Sequence, residues 1–380
     1  AAWQTWVSNA AYIWYLGMTP AFAVTNMAQG FLISAPVIAA RLGMSQLKVQ
    51  KALAKAMADA FGVEKAWIAE AEGNVFKKLY SAAPGYKEVP VVDAEGNVTD
   101  ETELELDLDS TKLTADEKKL IQDLYKQSVI DINQSNDLVS TAEGLGLNQQ
   151  VGMKVISLFA HHSEVLNRLS TGLAAYRLAK EMSKARGTTL DPLAFTAKII
   201  TDTHGDYSNT AAPLYFKPGF NPVAPIMFQF RKYQATMLFL LGRNMSLAVR
   251  GVYRALNGGQ RSEEEAIALR TINGLMMSHM VAAGTLGMPL VGTAAWWIAA
   301  ALDDDDDPWD KERVEAEYRN WLAELMGVDA AEVAAKGVFR LPGVKDILPS
   351  TLGERVGQQD IASPLRNMRD SARESARDSM

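Results

Sequence analysis

The chain has 380 residues, 48% of them hydrophobic and 22% charged, with a net charge of −7 and no cysteine. These are ordinary globular proportions. The missing thiols exclude disulfides, thiolate metal sites and cysteine nucleophiles, and the negative balance makes the whole chain a poor clamp for nucleic-acid phosphates, which need clustered Lys and Arg. The charge is segregated. Neither Ala1–Ala40 nor Thr271–Leu302 holds an Asp, Glu, Lys or Arg, while Glu88 to Glu117 carries eleven acids against the single base Lys112.

In chain order, residues 1–86 read as an apolar N-terminal helical segment. The Ala-Ala-Trp start reads as a processed chain or a piece of a longer one. Ser45 is placed to cap a helix whose stripe is Val49, Ala52, Leu53, Ala56, Met57 and Ala60, with Gly62 as its expected stop. Residues 87–112 are an acidic insertion. An Asp-Ala-Glu-Gly-Asn turn lies between two extended runs, and acid alternates with Leu from Glu101 to Asp109. That pattern predicts a small, largely solvated β-hairpin between about Lys87 and Asp109.

Residues 113–257 read as a long-helix domain. Thr114 and Glu117 form a capping-box pair before Leu120, Ile121, Leu124 and Tyr125. The longest helix is expected from about Asn148 to Arg186, stopped by Gly187. Its seam is Val151, Val155, Leu158, His162, Val165 and Leu169. Asp191-Pro192 starts another helix. A Pro/Gly-rich loop from His204 to about Val223 separates it from a helix running from about Pro225 to Leu256.

Residues 258–302 form an apolar helical segment with possible membrane contact, begun by a second capping box at Ser262 and Glu265. Residues 303–361 read as C-terminal helices. In "AAWWIAAALDDDDDPWD", Asp307 is placed as N-cap, Pro308 as first helical residue and Asp310 in the first turn of a helix from Trp309 to Met326. The run also stops the apolar segment, because aspartates do not readily follow Trp296 and Trp297 into lipid. Asp329 and Glu332 offer a third helix start, and Gly337 a stop. Residues 362–380 are a polar tail of mixed charge, read as mobile or partner-bound.

Candidate chemistry is sparse. "HHSE", His161 to Glu164, is the best metal-like cluster, but known helical zinc motifs place the histidines four apart. It reads as a structural pair, with His162 on the apolar seam. A bare aspartate run lacks the spacing of a calcium loop. No phosphate loop, serine elbow or zinc signature is present. The reading is therefore no enzyme, no cofactor, no metal and no catalytic residue. Glu164, Asn167 and Arg168 are expected to be structural, with the loop around Asp206 and Tyr207 as the partner of Arg168. The 271–302 stretch is long enough to cross a bilayer. Its Gly274, Gly284, Gly287, Pro289 and Gly292 equally suit two short buried helices with a turn near Gly287-Met288-Pro289. The first charge-free region carries the same ambiguity.

Four stretches together resemble a known family: "YIWYLGMTPAFAVTNMAQ", "HHSEVLNRLSTGLAAYRLA", "DTHGDYSNTAAPLYF" and "PVAPIMFQFRKYQATMLFLLGR". In this order they look like the C-terminal helical region of internal virion (ejection) proteins of short-tailed bacteriophages, related to domains of large phage polyvalent proteins. The resemblance spans roughly Ala1 to Leu302 and rests on aromatic and small residues at helical spacing. The capped helical stripes already predict a mainly α, elongated multi-helix assembly, and the turn chemistry with period-two alternation its small β-hairpin insertion. For function, the resemblance implies an internal virion protein that helps build a channel for genome delivery across the host envelope. The large charge-free stretches would leave apolar patches exposed on a monomer of this size, which predicts a homo-oligomer, a ring or tube with other internal virion, tail or portal proteins. The localisation would be the virion and then the host cell envelope, with phage DNA passing without sequence-specific binding. A purely structural virion or portal-associated scaffold is one alternative, and a fragment of a peptidoglycan-cleaving virion enzyme is another.

Overall fold

Local hydrogen-bonding chemistry sets where several helices begin. Thr114 Oγ1 accepts from Glu117 N at 3.4 Å while the Glu117 carboxylate accepts from Thr114 N at 2.8 Å, closing the expected capping box. Ser262 and Glu265 do the same at 3.2 and 2.9 Å. Asp191 Oδ1 accepts from Leu193 N and Ala194 N, with Pro192 at the first helical position. Each device satisfies amide donors that the first helical turn leaves without partners.

A computed structural model describes residues 27–70, 86–92, 98–130, 158–187, 190–204, 232–288 and 311–341, with 291, 294 and 298. Helix accounts for 81% of the interpretable residues, so the fold is mainly α. The first 26 residues, the loop with Asp206 and Tyr207, the aspartate run with Asp307, Pro308 and Asp310, and the tail lie outside the described residues. The chain divides into two compact units, Ala1–Thr236 and Met237–Met380.

The first unit holds α1 (Ala35–Leu42), α2 (Gln46–Glu70), β1 (Tyr86–Val92), β2 (Val98–Leu106), α3 (Ala115–Lys126), α4 (Leu158–Arg186) and α5 (Pro192–His204). α4 is the axle. α2 and α5 pack along it, α1 touches all three, and α3 leans on it. From Ser163 to Ala175 every residue of α4 is buried. Of the expected seam, Val165 and Leu169 are buried and His162 half-buried, while Val151, Val155 and the Leu158 side chain lie outside the described residues; burial extends well beyond that one stripe. Neighbours on several sides enclose the helix, which is why it needs no strong polar face. Gly172 permits close approach on two of these sides. A Cβ there would stand 3.2 Å from Ile200 Cδ1 and 3.5 Å from Leu124 Cδ1.

α2 carries the expected stripe, with Val49, Leu53, Ala56 and Ala60 fully buried, but Gly62 does not end it. Val63 is also fully buried and continues the stripe, so packing carries the helix through the glycine to Glu70. Immediately before α1, Gly30–Ser34 form a π-helical turn inside a continuous helix. β1 and β2 pair antiparallel, from Tyr86 opposite Leu106 to Val92 opposite Val98, with an irregularity between Pro90 and Val92. Leu106 and Leu108 are buried, and Lys87 Nζ reaches Asp109 Oδ2 at 2.5 Å.

The second unit holds α6 (Lys232–Leu256), whose first turn belongs to the other side of the division, then α7 (Glu263–Ala283), α8 (Lys311–Met326) and α9 (Val328–Lys336). Leu322, Ala331 and Ala335 form its buried cluster, with Leu286 and Tyr318 packed against it. α9 starts from Gly327 at φ +84°, not from an Asp329 cap. The left-handed glycine turns the chain straight out of α8, leaving Asp329 in the first turn and Glu332 paired with Arg319 at 3.5 Å. Gly337, at φ +80°, ends α9 as expected.

The second charge-free region does not continue as one helix. α7 ends at Ala283, and Gly284 (φ +71°) turns the chain through residues 284–288. No helix among the described residues is long and apolar enough to cross a membrane. At this turn the ends of α7 and α9 meet. Thr285 N donates to Ala334 O at 2.9 Å and Leu286 N to Ala335 O at 3.0 Å. A Cβ on Gly284 would overlap the Ala335 carbonyl, and one on Gly337 would overlap Ala282 O. The contact is backbone against backbone, and only glycine fits both the φ and the space.

Candidate functional site

The densest collection of buried polar groups lies in the first unit. It takes residues from three places far apart in sequence. The π turn and its preceding helix supply Gln29 and Ser34. α4 supplies Thr171, with Asn167, Arg168 and Ser170 beside it. The end of α5 supplies Thr203 and His204. All are buried, Ser34 and Thr171 completely.

The hydrogen bonds form one chain. Thr203 Oγ1 donates to Ile199 O at 2.8 Å, which uses its only proton. Ser34 Oγ therefore donates to Thr203 Oγ1 at 3.0 Å. His204 Nε2 lies 3.0 Å from Thr171 Oγ1 and 3.3 Å from Ser34 Oγ. Gln29 Nε2 donates to Thr203 O at 3.1 Å, relieving a carbonyl at the open end of α5. Burial pushes the His204 imidazole well below its ordinary pKa, and the Arg168 charge pushes the same way. His204 is thus held neutral.

A serine hydroxyl beside an imidazole is half of a nucleophile–base arrangement. Here the serine has no exposed surface and its proton is committed to Thr203. The cluster therefore joins three helical segments through hydrogen bonds between buried polar groups. Arg168 makes a further join, with Nη1 donating to Val129 O at 2.9 Å. Asn167 stands where a Gly30 Cβ would lie 3.5 Å from its Oδ1, so the π turn approaches α4 closely. The loop at Asp206 and Tyr207, the expected partner of Arg168, lies outside the described residues.

Nearly two helical turns beyond Thr171 on α4, Arg177 clasps two other helices. Its Nε donates to Glu117 Oε1 on α3 and its Nη1 to Asp59 Oδ2 on α2, both at 2.6 Å. Burial works to raise the Glu117 carboxyl. Hydrogen bonds from Arg177 and Thr114, with the Arg177 charge, hold it below its usual value instead. Arg41 with Asp202 and Lys180 with Asp116 add outer pairs.

Among the described residues, no group of three His, Asp or Glu side chains could hold a metal ion. His162 is half-buried and Glu164 is buried on α4, while the His161 side chain lies outside the described residues. In the second unit His279 is buried. Its Nδ1 donates to Leu275 O at 2.8 Å, leaving Nε2 as the acceptor, without a hydrogen-bond partner among the described residues. Burial lowers its pKa, and the bond to Leu275 works the other way.

Sequence reasoning did not single out Gln29, Ser34, Thr171 or Thr203, and placed His204 at the start of a loop. The available signal was polar residues sitting inside apolar helical stretches, such as Gln29 and Ser34 within "MAQGFLISAPVIAA". No protein-family model, curated protein or solved structure matches the chain.

Proposed function

We propose that the protein is an internal virion (ejection) protein of a short-tailed bacteriophage, a helical component of a core or channel that assists genome delivery across the host envelope. The reading starts from the four stretches of resemblance. The observation that carries it is that three of them are physically one unit. Gln29 from the first, Thr171 from the second, and Thr203 with His204 from the third are linked through hydrogen bonds in one buried cluster. Loose motifs gain weight when their residues depend on one another.

In this role the chain works as a homo-oligomer, a ring or tube of elongated subunits, with other internal virion, tail or portal proteins. It needs no catalytic residue or cofactor, and it lets DNA pass without reading sequence. It resides in the virion and then in the host envelope. Large apolar side chains exposed along α8, among them Trp321 and Leu325, favour assembly, because soluble monomers keep such patches small.

The test uses purified particles of the encoding phage. The protein is expected inside the capsid, shielded from added protease until DNA ejection is triggered, and then released. Absence from particles, or cleavage before ejection, would overturn the proposal.

A further inference from the structure

α6 divides into three faces. At about 100° per residue, Leu240, Leu241, Ala248 and Gly251 fall on one side, and all four are buried. Opposite them lies a sector about 140° wide that holds Phe239 (73% exposed), Val249 (60%), Tyr253 (70%) and Leu256 (81%), with Met245 and Val252 at its border. Arg243, Arg250 and Arg254 run as one stripe along the Phe239 edge of that sector. All three are exposed. The helix contains no acidic residue at all, in a chain whose net charge is −7.

Arg254 is held by Glu265 at 3.2 Å. Arg243 and Arg250 make no ion pair among the described residues. An exposed apolar sector with a one-sign cationic border is the pattern of a helix lying in a membrane interface. Its apolar side sinks to the acyl boundary, and its arginines stay among the headgroups. The exposed run from Phe239 to Leu256 covers about 26 Å at 1.5 Å per residue. Spanning is the wrong geometry for it, since no described helix is long and apolar enough to cross.

We propose that α6 is an in-plane anchor for an anionic lipid surface, held by the Phe239–Leu256 sector and by Arg243 and Arg250. Charge chooses this partner. The arginine stripe favours an anionic partner, and the apolar sector beside it would stay in water on a phosphate backbone or a polar acidic protein. The proposal deepens the envelope contact above and rests on that reading for its setting, not for its residues.

The test is flotation of the full chain with vesicles of phosphatidylcholine alone or mixed with phosphatidylglycerol. Binding is expected to the mixed vesicles and much less to the neutral ones. Arg243→Gln with Arg250→Gln should weaken it about 25-fold, about fivefold per arginine. Val249→Ser with Leu256→Ser should weaken binding at least about tenfold through lost apolar burial. All four positions are exposed, and far-ultraviolet circular dichroism checks that helicity is kept. No binding by the wild-type chain, equal binding to both vesicle types, or unchanged binding by both double variants would overturn the proposal. So would arginine-dependent binding to duplex DNA without vesicle binding, or a change of oligomeric mass as the variants' sole effect. Failure here leaves the virion assignment standing, because that is read from particle incorporation.

Discussion

The two units solve the burial problem in opposite ways. Among the described residues, the first leaves two large hydrophobic side chains exposed, Leu47 and Phe61, while the second leaves fourteen, from Phe239 to Leu341. The first unit hides polar groups as well as apolar ones, tying α1, α4 and α5 through Ser34, Thr171 and His204. The second relies on a small alanine-rich cluster and one main-chain contact. A many-sided core can hold polar groups where its neighbours hydrogen-bond them, as around His204, although Arg41 Nη1 and Gln122 Nε2 are buried without a hydrogen-bond partner among the described residues. A sparsely packed unit leaves its apolar surface for something else to cover.

The strongest way to break this comparison is Gly284→Val. It places a β-branched side chain at φ +71° and against the Ala335 carbonyl. A loss of about 4 kcal/mol or more is expected in the second unit. Hydrogen exchange should show α7 to α9 losing protection while α4 keeps its own. Simultaneous loss in both units would mean they fold as one, and the contrast would fail.

Arg177→Met tests the first unit. It leaves Glu117 and Asp59 facing a site without its cation, at an expected cost of about 2 kcal/mol after discounting for partial exposure. Urea unfolding should show this, and adding Glu117→Gln should cost less than the sum of the two single changes.

Acidification probes both units through their histidines. The folded pKa of His204 lies below its ordinary 6.5. Between those values the unfolded chain binds a proton that the folded chain does not. Stability is therefore full above 6.5 and falls as pH drops below it, by up to about 1.4 kcal/mol per pH unit. His204→Gln should flatten this decline in the first unit and leave the His279 contribution in the second. An unchanged slope in the first unit would show that His204 is not its source.

The smallest expected effect is a gain. Gly62 sits inside α2 with open space where its Cβ would be. Gly62→Ala should stabilise the first unit by about 0.5–1 kcal/mol, measured as a shifted urea midpoint.

What the sequence disclosed was local. The pairs Thr114–Glu117 and Ser262–Glu265, and the Asp191-Pro192 start, each act within three or four residues, so spacing alone exposes them. Gly62 misled for the converse reason. A glycine's stop signal is weak, and burial of Val63 overrides it. The polar cluster was illegible because Ser34 and His204 are 170 positions apart. Nothing near either residue reveals the other. Asn167, Arg168, Ser170 and Thr171 read locally as a polar face, and only the packing of α2, α3 and α5 around α4 turns them inward. The Asp329 start failed because Gly327 reverses the chain two residues earlier.

The joint between α7 and α9 has a consequence for how this sequence can vary. Its hydrogen bonds run from the Thr285 and Leu286 amides to the Ala334 and Ala335 carbonyls, so the connection is written in the main chain. Side chains along both helices can drift without touching it, provided glycine stays at 284 and 337. Chain length cannot drift. Inserting or deleting one residue between Gly284 and Leu286 would shift both amides out of line with their carbonyls at once. The tolerated changes at this joint are therefore spellings, not insertions.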